Sequence, residues 1–165
     1  MIIIGDGGHA KVVRRVIYAL HLPIDSNILN DDFAFVAIGK NSDRKREAAR
    51  AARVGYMFPV LIHPSANVDE TARIGEGTVI MAGAVVQADA WIGKHCILNS
   101  SCSVDHDCVL KDYAHIAPGA HLCGDVVVGE GALVGVGVGL APGCRIPAWS
   151  LVKAQGIVVE PLSGN

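Results

Sequence analysis

The sequence has few aromatic residues and no long apolar run. Aromatic residues make up 5% of its 165 positions, and no apolar stretch approaches the roughly 20 residues of a membrane-spanning helix. The net charge is −2, which provides no basic excess for binding nucleic acid. Residues 1–4 carry no cationic leader, so we expect no signal peptide and a cytoplasmic protein.

An aliphatic residue occupies every sixth position from residue 62 to residue 158. These seventeen residues are Ile62, Val68, Ile74, Ile80, Val86, Ile92, Leu98, Val104, Leu110, Ile116, Leu122, Val128, Val134, Leu140, Ile146, Val152 and Val158. This period is typical of a hexapeptide-repeat solenoid, in which each hexad forms a short strand and three hexads form a triangular coil. The sequence therefore predicts a mainly β fold, a left-handed parallel β-helix.

A small residue stands two places before most of these aliphatic residues. Alternation along a strand sends both positions to the same side, so we expect each pair to fill the interior. Four of the five cysteines occupy the small position, where buried reduced thiols are expected: Cys96, Cys102, Cys108 and Cys144. Cys123 falls on an outward position and is the cysteine to test for reactivity.

Residues 1–60 lack the hexad period and have the pattern of a small βαβαβ unit. Three strands are predicted, at residues 1–4, 33–38 and 56–61. Two helices are predicted, one over residues 10–20 and one capped by Ser42 or Asp43 and ending near Arg53. The sequence thus divides into two domains, residues 1–60 and residues 61–165.

A glycine turn joins the first strand to the first helix. Backbone N–H groups at such a turn and the helix N-terminus can bind phosphate. The spacing of Gly5, Gly7 and Gly8 is not that of the dinucleotide fingerprint, so a ligand-free, close-packed turn is the alternative. His9 favours ligand binding, and we take Gly7, Gly8 and His9 as candidate substrate-binding residues.

Four segments of the chain carry a family resemblance: residues 3–13, 36–41, 62–66 and 99–108. Together they resemble the sialic acid O-acetyltransferase family of the NeuD/PglD type, which includes N-acetyltransferases of UDP-4-amino-sugars. The resemblance implies a homotrimeric, acetyl-CoA-dependent transferase with a histidine base at the subunit interface, and we expect no metal. It also implies that residues 1–60 form a Rossmann-like nucleotide-sugar-binding domain. This domain is shortened, because only residues 21–32 join the first helix to the second strand.

His106 is the candidate general base. Acyl transfer to an amine or hydroxyl needs a group that removes a proton near neutral pH, and histidine is suited to that task. Asp105 is the candidate residue for orienting its ring, and an exposed corner histidine without a role is the alternative.

Stacking arithmetic places other candidates around this histidine. Gly124 is 18 residues beyond His106 and so lies directly above it, which we expect to leave room for a thioester. His115 is nine residues beyond His106, half a coil away, so both histidines can serve one site only if they come from different subunits. The resemblance adds Asn99, on the same face as His115, to the candidate catalytic residues.

Acetyl-CoA is expected in the groove between neighbouring solenoids. The candidate contacts are Gly124, Ala141, Gly143, Lys153 and Ala154, with Lys153 available either to a phosphate or to solvent. Outward apolar residues such as Val127, Leu133 and Val136 predict a C3 trimer, because a lone solenoid should not expose them.

Three other functions remain open. An O-acetyltransferase of sialic acid or a related sugar is the main alternative to N-acetylation. A zinc carbonic anhydrase would need ligands among His95, His106, His115 and His121, but His115 and His121 are a full repeat apart and should diverge. A non-catalytic solenoid is the third alternative function. Separately, His95 and His121 are expected to be solvated outward side chains.

Overall fold

The computed structural model describes residues 1–21 and 32–154 and the strand Ile157–Val158. The amino-terminal unit contains strand β1 (Ile2–Ile4), helix α1 (Gly8–Ala19), strand β2 (Ala34–Val36) and helix α2 (Asn41–Arg53). Strands β1 and β2 pair in parallel. Most of the predicted linker and the end of the predicted second domain lie outside the described residues.

Two predictions for this unit are wrong in detail. No third strand extends over residues 56–61; Met57 forms a single bridge with Phe33, and Leu61 instead starts the solenoid. Helix α2 begins at Asn41 rather than after Ser42 or Asp43, and its N-cap residue Lys40 makes no side-chain capping bond.

The hexad pattern is confirmed strand by strand. Each strand has two residues and ends on one of the periodic aliphatic residues. The strands are β3 (Leu61–Ile62), β4 (Asn67–Val68), β5 (Arg73–Ile74), β6 (Val79–Ile80), β7 (Val85–Val86), β8 (Trp91–Ile92), β9 (Ile97–Leu98), β10 (Ser103–Val104), β11 (Val109–Leu110), β12 (His115–Ile116), β13 (His121–Leu122), β14 (Val127–Val128), β15 (Leu133–Val134), β16 (Gly139–Leu140), β17 (Arg145–Ile146), β18 (Leu151–Val152) and β19 (Ile157–Val158).

Parallel pairing between residues 18 apart stacks these strands into three sheets. The first face contains every third strand from β3 to β18, the second face those from β4 to β19, and the third face those from β5 to β17. The predicted mainly β fold class, a parallel β-solenoid, is therefore confirmed, and the βαβα order of the amino-terminal unit fits the predicted Rossmann-like domain.

The periodic aliphatic residues and the small residues fill one continuous core. Cys96, Cys102, Cys108 and Cys144 are buried in it as thiols, as predicted, while Cys123 is half-buried. Burial raises the pKa of Cys96 and of Cys102 to about 12, so these thiols stay protonated and act as small apolar groups.

Helix α1 covers the outer side of the first face. Leu61, Val79 and Ile97 point away from the solenoid core and are buried against Val13 and Ile17 of α1. Burying such side chains is worth about 1.5–3 kcal/mol each relative to exposure. The aliphatic residues at these outward positions therefore hold the amino-terminal unit on the solenoid.

The prediction that His95 is a solvated outward side chain is wrong, because this residue is only 4% exposed. Its ring stacks on Tyr113 with a centroid separation of 5.4 Å and meets the edge of Phe58 at 4.7 Å. The amino-terminal unit covers this corner and removes it from water. His121 is exposed, as expected.

Candidate active site

His106 lies in the turn after β10, at the corner between the second and third faces, with its side chain exposed. Its Nδ1 is 2.8 Å from Oδ2 of Asp107. Because an ionised carboxylate only accepts, Nδ1 carries the proton, and in the neutral ring Nε2 is the acceptor. The hydrogen bond to Asp107 is the main cause that raises the pKa of His106.

Asp105, the residue predicted to orient this ring, is not its hydrogen-bond partner. The backbone N–H of Asp105 joins the solenoid ladder by donating to Leu122, and its carboxylate acts on the imidazole only through charge. Asp107 is the corner residue, with φ of 58°, and its carboxylate contacts the ring. Asp107 therefore holds His106 in the tautomer that a base needs.

Gly124 lies one coil above His106, as the stacking arithmetic predicted, and the next residue, Asp125, donates its N–H to the carbonyl of His106 at 3.1 Å. A Cβ at Gly124 would lie 2.5 Å from Cε1 and 2.7 Å from Nε2 of His106. The space left by the missing side chain is thus filled by the imidazole itself, not left open for a thioester. Gly124 fixes where the ring can lie.

Asn99 and His115 contact each other on the first face. Asn99 Oδ1 accepts the N–H of Ser100 at 2.9 Å, so its Nδ2, which is 3.2 Å from Nε2 of His115, is the donor. Nε2 of His115 therefore accepts, and the backbone of Gly39 also hydrogen-bonds the ring. Burial, and then the charge of Arg44, lower the pKa of His115 to about 3, which keeps the ring neutral.

His106 and His115 lie on different sides of the solenoid. His106 follows a strand of the second face, whereas His115 begins a strand of the first face. The structure of one chain therefore gives the two histidines separate surroundings: acidic and exposed for His106, buried and beside the amino-terminal unit for His115.

His9 lies at the start of α1, beside Gly39, and its buried Nε2 has no hydrogen-bond partner among the residues that the structure describes. Burial, and then the charge of Arg44, lower its pKa to about 4. Gly39, beside which His9 lies, also hydrogen-bonds the ring of His115, so both histidines lie next to this residue. The glycine turn thus brings His9 to the same place as Asn99 and His115.

A cleft of about 620 Å³ opens between the glycine turn and α2. It contains the three predicted substrate-binding residues, Gly7, Gly8 and His9. The rest of its lining is Ile4, Gly5, Asp6, Ala37, Ile38, Gly39, Asp43, Arg46 and Glu47. Helix α1 has no capping side chain and no acidic residue in its first turn, so its first N–H groups face the cleft mouth without a competing carboxylate on the helix.

The candidate acetyl-CoA contacts fall at two different corners. Gly124, Ala141 and Gly143 lie on the coils above His106, and the N–H of Gly143 donates to the carbonyl of Gly124 at 3.0 Å. Lys153 and Ala154 follow β18 of the first face and are exposed. One chain therefore does not bring all five residues together.

Among the residues that the structure describes, no group of three histidine, cysteine or acidic side chains could hold a metal ion. His115 and His121 lie on the first and second faces respectively, so they diverge as the spacing predicted. In the described parts of the chain, neither helix is long and apolar enough to cross a membrane.

Sequence reasoning missed Asp107 and Arg44. Asp107 directly follows the candidate base and Asp105 directly precedes it, so only the side-chain geometry shows that Asp107 is the hydrogen-bond partner of the ring. Arg44 lies on the same helical face as Ala48 and Ala51, and all three are buried. A cation on the apolar stripe of a helix was the signal that could have pointed to it.

Comparison with known proteins supports a transferase family. The family described as bacterial transferase hexapeptide (six repeats) matches residues 71–106. UDP-N-acetylbacillosamine N-acetyltransferase of Bacillus subtilis (strain 168) is 41% identical over 105 aligned residues, with 47% of this chain and 49% of that relative covered. The chain thus spans about half the length of this curated relative.

Solved structures match over nearly the whole chain. The acetyltransferase domain of PglB from Neisseria gonorrhoeae FA1090, in complex with acetyl coenzyme A, has a TM-score of 0.91 and 34% identity, covering 97% of this chain and 90% of that one. PerB from Caulobacter crescentus, in complex with CoA and GDP-perosamine, has a TM-score of 0.91 and 37% identity, covering 99% and 90%. The chain therefore belongs to the NeuD/PglD-type hexapeptide-repeat acetyltransferases.

Proposed function

We propose that this protein is an acetyl-CoA-dependent N-acetyltransferase that acts on the amino group of a nucleotide-linked amino-sugar, of the UDP-4-amino-sugar type. The observation that carries the proposal is the His106–Asp107 pair, an exposed histidine whose Nδ1 is held by a carboxylate. Related structures with bound acetyl coenzyme A, or with CoA and GDP-perosamine, support the classes of donor and acceptor.

His106 acts as the general base in this proposal. Its Nε2 accepts a proton from the acceptor amine as the new C–N bond forms and the thioester C–S bond breaks. Asp107 stabilises the imidazolium that results, and His106 then returns the proton to the departing thiolate. Acetyl-CoA supplies the acetyl group already activated as a thioester.

The two substrates are assigned to separate parts of the chain. Gly7, Gly8 and His9 hold the nucleotide-linked sugar in the cleft, where the N–H groups at the start of α1 suit a phosphate. Gly124, Ala141 and Gly143 line the donor groove beside His106, and Lys153 and Ala154 complete it from a neighbouring chain. The cleft and the base lie on different sides of the solenoid, so a homotrimer brings them together.

A substrate screen followed by one pair of variants tests the proposal. Purified protein is incubated with acetyl-CoA and UDP-, dTDP- or GDP-linked amino-sugars, and CoA release and product mass are measured. We expect His106→Ala to lower kcat roughly 10²- to 10⁴-fold with acetyl-CoA affinity near normal. His121→Ala is the matched control, because this exposed histidine contacts the Ser103 hydroxyl at 2.9 Å instead of a carboxylate.

Near-normal turnover by folded His106→Ala protein would remove this residue from the mechanism. Acetylation of a hydroxyl group in place of an amine would show the O-acetyltransferase alternative. Wild-type protein that transfers acetyl to none of the sugars and does not bind acetyl-CoA would contradict the proposal as a whole.

A further inference from the structure

Arg44 is a buried cation at the contact between the amino-terminal unit and the solenoid. It is 1% exposed, and none of the described ion pairs includes it. Burial lowers its pKa to about 10, so it keeps its charge at neutral pH. Removing a charge from water without an anionic partner is costly, so its hydrogen bonds must offset that cost.

Five neutral oxygens accept from the guanidinium, which has five N–H donors. Nε donates to the carbonyl of His95 at 2.8 Å. Nη1 donates to the carbonyls of Ile38 at 3.0 Å and Gly39 at 3.1 Å. Nη2 donates to Oδ1 of Asn41 at 2.9 Å and to the carbonyl of Tyr113 at 2.7 Å. No donor is left for a substrate, so Arg44 does not act by binding one.

The acceptors belong to two separate parts of the molecule. Ile38 and Gly39 form a wall of the cleft, and Gly39 also hydrogen-bonds His115. His95 and Tyr113 lie on successive coils at the corner between the third and first faces. Arg44 therefore links the cleft wall directly to the solenoid.

A neighbouring residue extends this link to a third coil. Nδ2 of Asn41 donates to the carbonyl of Gly131 at 2.9 Å, while its Oδ1 accepts from Arg44. Gly131 is 18 residues beyond Tyr113, one coil further along the same corner. The start of α2 is thus hydrogen-bonded to three successive coils, which leaves only one register in which the amino-terminal unit can sit.

We infer that Arg44 is a positioning residue for the acetyl acceptor: it holds the Ile38–Gly39 wall of the cleft in register with Asn99 and His115 on the solenoid. This inference rests on the proposed function, because it concerns where the nucleotide-linked sugar is presented. The donor groove at the corner of His106 receives none of the Arg44 hydrogen bonds. Loss of Arg44 should therefore affect the sugar nucleotide and spare acetyl-CoA.

Lysine is the informative replacement. It keeps the positive charge, but its three donors on one nitrogen cannot reach acceptors in the arrangement of a planar guanidinium. Arg44→Lys therefore separates geometry from charge, and Arg44→Gln removes both. Asn41→Ala leaves the arginine in place and removes one acceptor together with the contact to Gly131.

The experiment measures KM for the sugar nucleotide and for acetyl-CoA, with UDP and GDP binding measured by calorimetry. We expect both Arg44 variants to raise KM for the sugar nucleotide and Kd for the bound nucleotide roughly 10- to 100-fold. KM for acetyl-CoA should stay within about twofold, and Asn41→Ala should show a smaller rise of the same kind. Circular dichroism and Tm report whether each variant is folded.

Lys45→Ala is the matched control. Lys45 is the next residue on α2 and contacts the same side of the solenoid through Glu130 at 2.6 Å, but it is exposed and does not touch the cleft wall. Its loss should leave all the binding constants unchanged.

Wild-type behaviour of Arg44→Lys would overturn the inference, because charge alone would then suffice. An equal rise in KM for the sugar nucleotide and for acetyl-CoA would also overturn it, since that result indicates a purely structural role. Wild-type protein that binds neither UDP nor GDP would overturn it as well. Failure of the proposed function can be distinguished from failure of this inference. In that case the wild type would bind a nucleotide but transfer no acetyl group, and the calorimetric comparison of the variants would still test the role of Arg44.

Discussion

At the scale of single residues, the candidate base is prepared by its immediate neighbours. Asp107 sets the tautomer of His106, and Gly124 leaves the space in which the ring lies. The carboxylate raises the pKa of His106, so the neutral form that accepts a proton is populated only above that raised pKa. Activity should therefore rise with pH, and the carboxylate of Asp107 should move the midpoint of this rise to higher pH.

Asp107→Asn is expected to move this acidic limb to lower pH and to lower the plateau of kcat. Without the carboxylate the pKa of His106 falls, so the neutral ring persists to lower pH, but its imidazolium form is less stabilised. The measurement is the pH profile of kcat and of kcat/KM for the wild type and the variant. Asp105→Asn is the control and should shift the limb less, because Asp105 acts only through charge. An unmoved limb in Asp107→Asn would contradict this account of the pair.

At the scale of elements, three histidines lie where the amino-terminal unit meets the solenoid. Burial lowers the pKa of His9 and of His95 to about 4 and that of His115 to about 3, with the charge of Arg44 adding to each effect. Glu76 and Asp112 partly oppose this at His95. The contact between the two units therefore depends on keeping the three rings neutral.

Stability should fall as the pH drops below about 6.5, the pKa of an unfolded histidine. Above that pH, folded and unfolded chains both carry neutral rings, so these groups add no pH dependence. Between about 6.5 and 4 the unfolded chain binds protons that the folded chain excludes, at a cost of up to about 1.4 kcal/mol per pH unit for each histidine. Urea unfolding at a series of pH values measures this slope.

A single substitution checks the source of this acid sensitivity. His95→Phe should reduce the slope, because phenylalanine keeps an aromatic ring between Phe58 and Tyr113 without a titratable group. A free energy of unfolding that stays constant from pH 7 to pH 5 would mean that these rings do not limit acid stability.

At the scale of the whole molecule, His106 and His115 can serve one site only if they come from different chains. His106 and His115 lie on different faces, and the outward residue Val136 is 53% exposed. A three-fold assembly would set the His106 corner of one chain against the first face of its neighbour. We therefore expect light scattering to report a trimer at micromolar concentration, and a monomer would contradict the shared site.

Mixing variants tests the shared site directly. If His106→Ala and His115→Ala are each inactive, trimers reassembled from equal amounts of both should regain activity. About one quarter of the interfaces in such a mixture pair an intact His106 with an intact His115. Reassembly of each variant with itself is the control. A mixture that stays inactive despite proven subunit exchange would place the two histidines in separate sites.

The solenoid was predictable because its signal is local and repeated. A two-residue strand in each hexad needs only an aliphatic residue and a small residue on one side, and every coil repeats that requirement from Ile62 to Val158. The stacking of Gly124 on His106 follows from the same period. The glycine turn before α1 was also visible, because Gly5, Gly7 and Gly8 lie close together in sequence.

The contacts between the two units were not predictable, because they join residues far apart in sequence with no shared period. Arg44 meets His95 and Tyr113 across 51 and 69 positions, and His95 is buried only because the amino-terminal unit covers its corner. The choice of Asp107 over Asp105 depends on a corner dihedral and a rotamer that their nearly equivalent sequence positions do not reveal. Periodicity therefore determines the scaffold and the height of each residue along it, while packing between the units determines which side chains are neutral, buried and held beside the cleft.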